Sequence, residues 1–146
     1  MHFISKKIID CFERRNKVII FGNGGSLQDA GHFAAEFNNI GPVIALNDPA
    51  KITSIGNDYS FEEVFAIQLN DIVHAGDLII GLSSSGKSKN VIRGFEQAKL
   101  LGCDVIDFPR KGNRKGNETQ NVQNYQYVLL HKIYQEVKME VKKYFK

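Results

Sequence analysis

Two short stretches of this chain carry residues that could do chemistry together. The first is Gly22-Asn23-Gly24-Gly25-Ser26, a turn that small residues favour, set directly after the apolar run at residues 18–21. A turn of this kind leaves free backbone N–H groups at the start of a helix, and the helix dipole adds to their pull on an anion. Ser26 is the expected cap of that helix. His32 and Glu36 follow four residues apart, so they share one helix face, about one turn below the anion site. The second stretch is Ser83-Ser84-Ser85-Gly86-Lys87-Ser88. Together with backbone N–H groups, the hydroxyls of Ser83, Ser84, Ser85 and Ser88 can surround a phosphate. A serine-rich loop can also cap a helix in the ordinary way, and taken alone the loop fits both readings equally. Neither turn has the G-x-G-x-x-G or the G-x-x-x-x-G-K-[ST] spacing, which points to a small phosphorylated molecule rather than a nucleotide cofactor.

The elements that must position these residues alternate along the chain. Phe3, Ile4, Ile8, Ile9 and Phe12 fall at helical spacing and predict an amphipathic helix over residues 2–15. Residues 18–21, 43–46, 78–80 and 105–106 read as short buried strands. Between them stand a helix over residues 26–38, a short irregular or helical piece after Asp48-Pro49, and a polar turn at residues 56–59. Ser60 and Glu63 make an S-x-x-E capping box for a helix to about Val73. A further helix ends at Leu101, with Val91, Ile92, Phe95, Ala98 and Leu101 inward. The last helix runs from about Val122 to Tyr144, with Val122, Tyr125, Leu129, Ile133, Val137 and Val141 stepping by three and four. Strands alternating with helices predict an α/β fold with a parallel sheet covered on both faces. In such sheets ligands bind at the carboxyl ends of the strands, where both small-residue turns lie.

Composition sets the outer bounds. The chain has 146 residues, 42% hydrophobic and 24% charged, which fits one domain over residues 1–146 with a modest core. A net charge of +3 does not mark a nucleic-acid binder. Cys11 and Cys103 have no metal-like spacing, and no secretory signal or long apolar run is evident, so a reduced cytoplasmic protein without a membrane segment is expected. Residues 109–120 are polar and hold Arg110, Lys111, Arg114 and Lys115, a basic loop that could contact an acidic partner but reads first as solvated. Asp29, one turn before His32, is either a helix-surface charge or a supporting partner behind the site, and His2 and His74 fit no motif.

Four separated motifs, FGNGGSLQDAGHFAAEF, SIGNDYSFEEVFAIQL, DLIIGLSSSGKSKNVI and VQNYQYVLLHKIYQEV, resemble in order the phosphoheptose isomerase family of sugar isomerase (SIS) domains. The resemblance implies a three-layer αβα sandwich of flavodoxin-like type. It also implies a homo-oligomer, a tetramer or dimer, and conversion of sedoheptulose 7-phosphate to D-glycero-D-manno-heptose 7-phosphate for bacterial surface polysaccharide. Carried over residue by residue, the phosphate loop is Ser83, Ser84, Ser85 and Ser88, and the sugar contacts are Asn23, Gly24, Gly25, Ser26, Asn57, Asp58, Glu36 and Gln123. The implied zinc (Zn2+) ligands are His32, Glu36, Gln123 and His131, and the implied acid–base pair is Glu36 and His131. Gln123 and His131 stand eight apart, about 12 Å along an ideal helix. They reach one ion only if the helix begins after Gln123 or if ligands come from different subunits.

Several positions depart from the family pattern. The family's extra first helix and one further strand have no counterpart here, so a sheet of about four strands is expected, with the helix over residues 1–16 as an oligomer or packing element. The edge at Val105-Ile106 would then be open unless the basic loop or a partner covers it. Asn124 and Gln126 replace a usual Glu and His, and Gln120 stands where Asp is common. The other class of function is a non-catalytic phosphosugar-binding module or a protein adaptor of the type that binds the replication initiator DnaA. That adaptor branch lacks the Glu and the final His, whereas this chain has both Glu36 and His131.

Overall fold

The computed structural model describes residues 1–111 and 118–144. Four strands form one parallel sheet in the order β2-β1-β3-β4: β1 (Val18–Gly22), β2 (Val43–Ala45), β3 (Leu78–Leu82) and β4 (Asp104–Asp107). Val18 lies beside both Val43 and Leu78, and Leu78 lies beside Asp104, which fixes the register across the sheet. Alternation along each strand sends side chains to two separate cores. Val18, Ile20, Leu78 and Ile80 join one core with α1 (Phe3–Glu13), α2 (Gly25–Glu36) and α6 (Glu118–Tyr144). Ile19, Phe21 and Ile79 join the other with α3 (Pro49–Asp58), α4 (Val64–Ile72) and α5 (Lys89–Leu100), where Phe21 stacks on Phe65 at 4.6 Å. The expected αβα sandwich and its four strands are therefore present.

The order places β2 on one side of β1 and β3 on the other, so the crossover from β2 to β3 passes over β1. The carboxyl ends of β1 and β3 thus flank the topological switch point, where α/β sheets open a crevice. At the opposite edge a polar knot ties the strand starts together. Buried Asp77 accepts from Lys17 Nζ at 2.7 Å, the Lys17 N–H at 3.1 Å, Asn16 Nδ2 at 2.9 Å and the His74 N–H at 2.8 Å. Burial opposes ionisation of this carboxyl, but those donors outweigh it and hold its pKa below the usual carboxylate range. The helix α1 is pinned to α6 through Glu136, which accepts from Ser5 Oγ at 2.6 Å and the His2 N–H at 3.0 Å. At the β4 edge, Lys7 reaches Asp104 at 2.7 Å.

Several local expectations are corrected. Gly24, with φ +56°, caps α2 without a side-chain bond, and Ser26 lies buried inside the first turn instead of capping it. The segment read as a polar turn, with Asn57 and Asp58, is the last turn of α3, which Asp48 caps and Pro49 opens. The Ser60–Glu63 box does not form: the Ser60 side chain makes no cap bond, a 3-10 turn spans Phe61–Glu63, and Glu63 takes a bond from Arg93 Nε at 3.0 Å. Ile92 is 42% exposed rather than inward. The last helix begins four residues earlier than expected, at Glu118, so Gln123 lies more than a turn inside it.

Candidate active site

Both small-residue turns meet at the crevice. The amides of Asn23, after β1, and Asn90, in the first turn of α5, donate to each other at 2.8 and 2.9 Å, which locks the two turns together. Each amide keeps a further donor and lone pair for a ligand. In the second turn, buried Ser83 is the hub. Its hydroxyl lies 3.1 Å from Ser88 Oγ and 3.5 Å from Ser85 Oγ, and it accepts from the Gly86 N–H at 3.0 Å. Ser85 Oγ accepts from the Lys87 N–H at 3.0 Å. Ser88 caps α5 by position but makes no side-chain cap bond. Ser84, Ser85, Lys87 and Thr119 line an open hollow of about 230 Å³. A second hollow, of about 260 Å³, lies between Asn23, Phe61, Glu62, Ser88, Lys89 and Asn90. Thr119 and Phe61 carried no signal in the sequence. Asn57 and Asp58 are exposed, and the Asn57 amide donates to Asp58 at 3.0 Å.

Glu36, His32 and His131 form a separate cluster where α2 and α6 run side by side. Glu36 Oε1 lies 3.4 Å from His32 Nε2 and 3.5 Å from His131 Nδ1. Tyr127, one turn before His131, sets its ring edge-on to that imidazole at 4.5 Å. Asp29 stands near both imidazoles; burial pushes its pKa up, and the two histidines pull it down by less. The cluster lies farther from the first turn than expected. Counting from Gly25, His32 is about 10 Å and Glu36 about 16 Å down the axis of α2. Gln123 does not sit in the cluster. It stays at the upper end of α6 with its amide against Gly25, where an added Cβ would lie 3.1 Å from Nε2.

Residues 2–108 match the SIS domain family. The chain is 40% identical over 131 residues to "Probable phosphoheptose isomerase" of Thermoplasma acidophilum, covering 82% of this chain and 72% of that protein. It is 43% identical over 120 residues to the phosphoheptose isomerase of Thermodesulfovibrio yellowstonii, covering 77% of this chain and 60% of that protein. The solved structure of the phosphoheptose isomerase of Neisseria gonorrhoeae superposes with a TM-score of 0.85 at 30% identity, covering 93% of this chain and 83% of that one. The chain belongs to the phosphoheptose isomerase family.

The ligand atoms of His32, Glu36 and His131 all lie within 4.8 Å of one another. Two imidazole nitrogens and a carboxylate oxygen form the three-ligand set that leaves a catalytic zinc one open position, so the residues fit such an ion. Because α6 is continuous through Gln123, a fourth ligand from that residue cannot come from the same chain's helix without about 12 Å of travel.

Two further residues give the phosphoheptose isomerase fold its local form here. Gln126, buried in α6, points Nε2 at the carbonyls of Ser83 at 3.4 Å, Phe108 at 3.5 Å and Pro109 at 3.4 Å. It ties the last helix to the serine turn and to the end of β4. Arg110, read as part of a solvated loop, instead pairs with Asp107 at 2.7 and 2.8 Å. Its hydrogen bond to that carboxylate raises its pKa further, so it stays charged. Arg114 and Lys115 lie outside the described residues. No helix among the described residues is long and apolar enough to cross a membrane.

Proposed function

We propose that the chain interconverts sedoheptulose 7-phosphate and D-glycero-D-manno-heptose 7-phosphate, as a cytoplasmic step supplying heptose for bacterial surface polysaccharide. The observation that carries this reading is the convergence of Glu36 and His131 at 3.5 Å, in a fold whose switch point holds a preformed serine cradle. The phosphate would be held by the hydroxyls of Ser84, Ser85 and Ser88, the N–H groups around Ser83 and the N-terminus of α5. Anchoring one end of a long flexible substrate removes most of the freedom that the reacting end would otherwise lose.

Isomerisation moves a proton between adjacent carbons through an enediol. The Glu36 carboxylate would take the proton from the carbon beside the carbonyl, while the His131 imidazole gives a proton to the carbonyl oxygen. In the second half, His131 takes the proton from the other enediol oxygen, and Glu36 returns its proton to the former carbonyl carbon. Tyr127 and His32 hold the His131 ring between them, at 4.5 and 5.5 Å between centroids. His32, Glu36 and His131 would hold a zinc ion, which when bound supplies polarisation of the carbonyl. Asn23, Gly24, Gly25, Ser26, Asn57 and Asp58 would contact the sugar.

The separation of loop and cluster along α2 favours a site shared between copies of the chain. We assign the serine loop and Gln123 to one copy, and His32, Glu36 and His131 to another, in a homo-oligomer. Tyr127 and Val128, 42% and 65% exposed beside His131, supply apolar surface for that contact. The test is turnover of sedoheptulose 7-phosphate by the purified chain, with and without added zinc. Turnover that Glu36→Gln abolishes is the expected result. A folded chain with no turnover under either condition would reject the enzyme reading in favour of a binding module.

A further inference from the structure

The serine turn is braced from behind by a charge pair that the proton transfers do not use. Asp107 ends β4, and Arg110 grips its carboxylate at two points, 2.7 and 2.8 Å. The same guanidinium donates from Nη1 to the Ser83 carbonyl at 3.4 Å. It also lies against Gly86: a Cβ built there would stand 2.8 Å from Arg110 Cζ and 2.9 Å from Nη2. Gly86 has φ +72°, so the turn requires glycine for its backbone and leaves its open flank to the guanidinium. The Ser83 carbonyl also accepts from Gln126 Nε2 at 3.4 Å. In a trans peptide the C=O and the following N–H point in opposite directions. Two donors on the Ser83 carbonyl therefore turn the Ser84 N–H away from Arg110, and Ser84 lines the open hollow.

We propose that Arg110, clamped by Asp107, is a positioning residue for phosphate binding, fixing residues 83–86 in the shape that receives the anion. This inference rests on the serine loop being the phosphate site. The Asp107–Arg110 pair is close to neutral as a unit, so it acts through shape more than through charge. A planar fork meets Asp107, the Ser83 carbonyl and the flank of Gly86 at once, whereas a lysine ammonium is a point charge that can satisfy only part of that set. Arg110→Lys is therefore expected to fail in the same way as Arg110→Gln.

Calorimetric titration with inorganic phosphate tests this on the full chain, with folding of each variant checked by circular dichroism and thermal unfolding. The parent is expected to bind, and Ser88→Ala to bind far more weakly. Arg110→Gln and Arg110→Lys are each expected to weaken binding about tenfold, the worth of about one hydrogen bond. Amide hydrogen exchange over residues 83–88 should quicken in both. If Arg110→Gln does not fold, Asp107→Asn carries the same test, since it releases the fork. Parent-like phosphate affinity in Arg110→Gln, or its full recovery in Arg110→Lys, overturns the clamp alone. A parent that binds no phosphate, or a Ser88→Ala variant that binds as the parent does, overturns the phosphate loop itself and the clamp with it.

Discussion

The serine turn and the His32–Glu36–His131 cluster are built in opposite ways. The turn is largely local: within residues 83–88, Ser83, Ser85, Gly86, Lys87 and Ser88 bond among themselves, at a sheet edge that β1 and β3 position with five residue pairs. The cluster joins residues 95 positions apart, from two helices that meet only because both pack on the same core. Its imidazoles are open to solvent, with the His32 side chain 54% and the His131 side chain 35% exposed. A local, internally bonded turn suits the recognition of a constant group such as phosphate. An open cluster on two helices suits chemistry that a neighbouring copy of the chain completes.

This contrast can be broken most severely at the cluster. Glu36→Gln and His131→Asn should each lower kcat by roughly 10²–10⁴-fold, the usual weight of a positioned acid or base, with KM little changed. Steady-state assay with sedoheptulose 7-phosphate checks this; a large rise in KM at constant kcat would move both residues from chemistry to binding. At the turn the pattern should reverse. Ser83→Ala removes a buried hydroxyl with three partners, so it should raise KM about tenfold or more and cost roughly 1–3 kcal/mol of stability. Gly86→Ala is a milder probe of the same region. The φ of +72° and the guanidinium flank should together cost about 1–2 kcal/mol and loosen phosphate binding, read by thermal unfolding and titration.

The polar knot at the other end of the sheet offers a control that should touch neither region. Folding holds the Asp77 carboxyl below its unfolded pKa, so its contribution is complete above that value and fades as pH falls through the folded one. Asp77→Asn should therefore cost about 3 kcal/mol at neutral pH, with the parent–variant gap closing below about pH 4. Turnover per folded molecule should stay the same. Urea unfolding at several pH values measures the gap; a gap that grows in acid would reverse the assigned sign.

What was legible in the sequence follows the same division. The strands and the small residues of the serine turn are legible because their signals lie between chain neighbours, and the sandwich follows from the alternation of strands and helices; the bracing of the turn by Arg110 and Gln126 is not local. Caps were read less well, because tertiary partners override local motifs: Glu63 turns to Arg93 instead of closing a box with Ser60, and Gly24 takes the capping place expected of Ser26. Asn57 and Asp58 look like turn residues, yet they finish a helix that Asp48 and Pro49 start. The meeting of Glu36 with His131 was reachable only through the family resemblance, since no local pattern links positions so far apart. Gln126 stands out in the sequence only as a replacement for a usual His, and Thr119 has no signal, because their roles come from where α6 lands. Arg110 looked like one of several solvated cations, and only the end of β4 shows it paired and set under Gly86.

The most direct measurement joins the two regions in one vessel. Glu36→Gln leaves the serine turn intact, and a Ser83→Ala/Ser88→Ala double variant leaves the cluster intact. Each alone should turn over sedoheptulose 7-phosphate poorly. After mixing, unfolding and refolding together, activity should return to a sizeable fraction of the parent's, because mixed oligomers contain sites with one intact half from each copy. Activity that stays absent in mixed, folded oligomers, while the parent turns the substrate over, would contradict a site shared between copies of this chain.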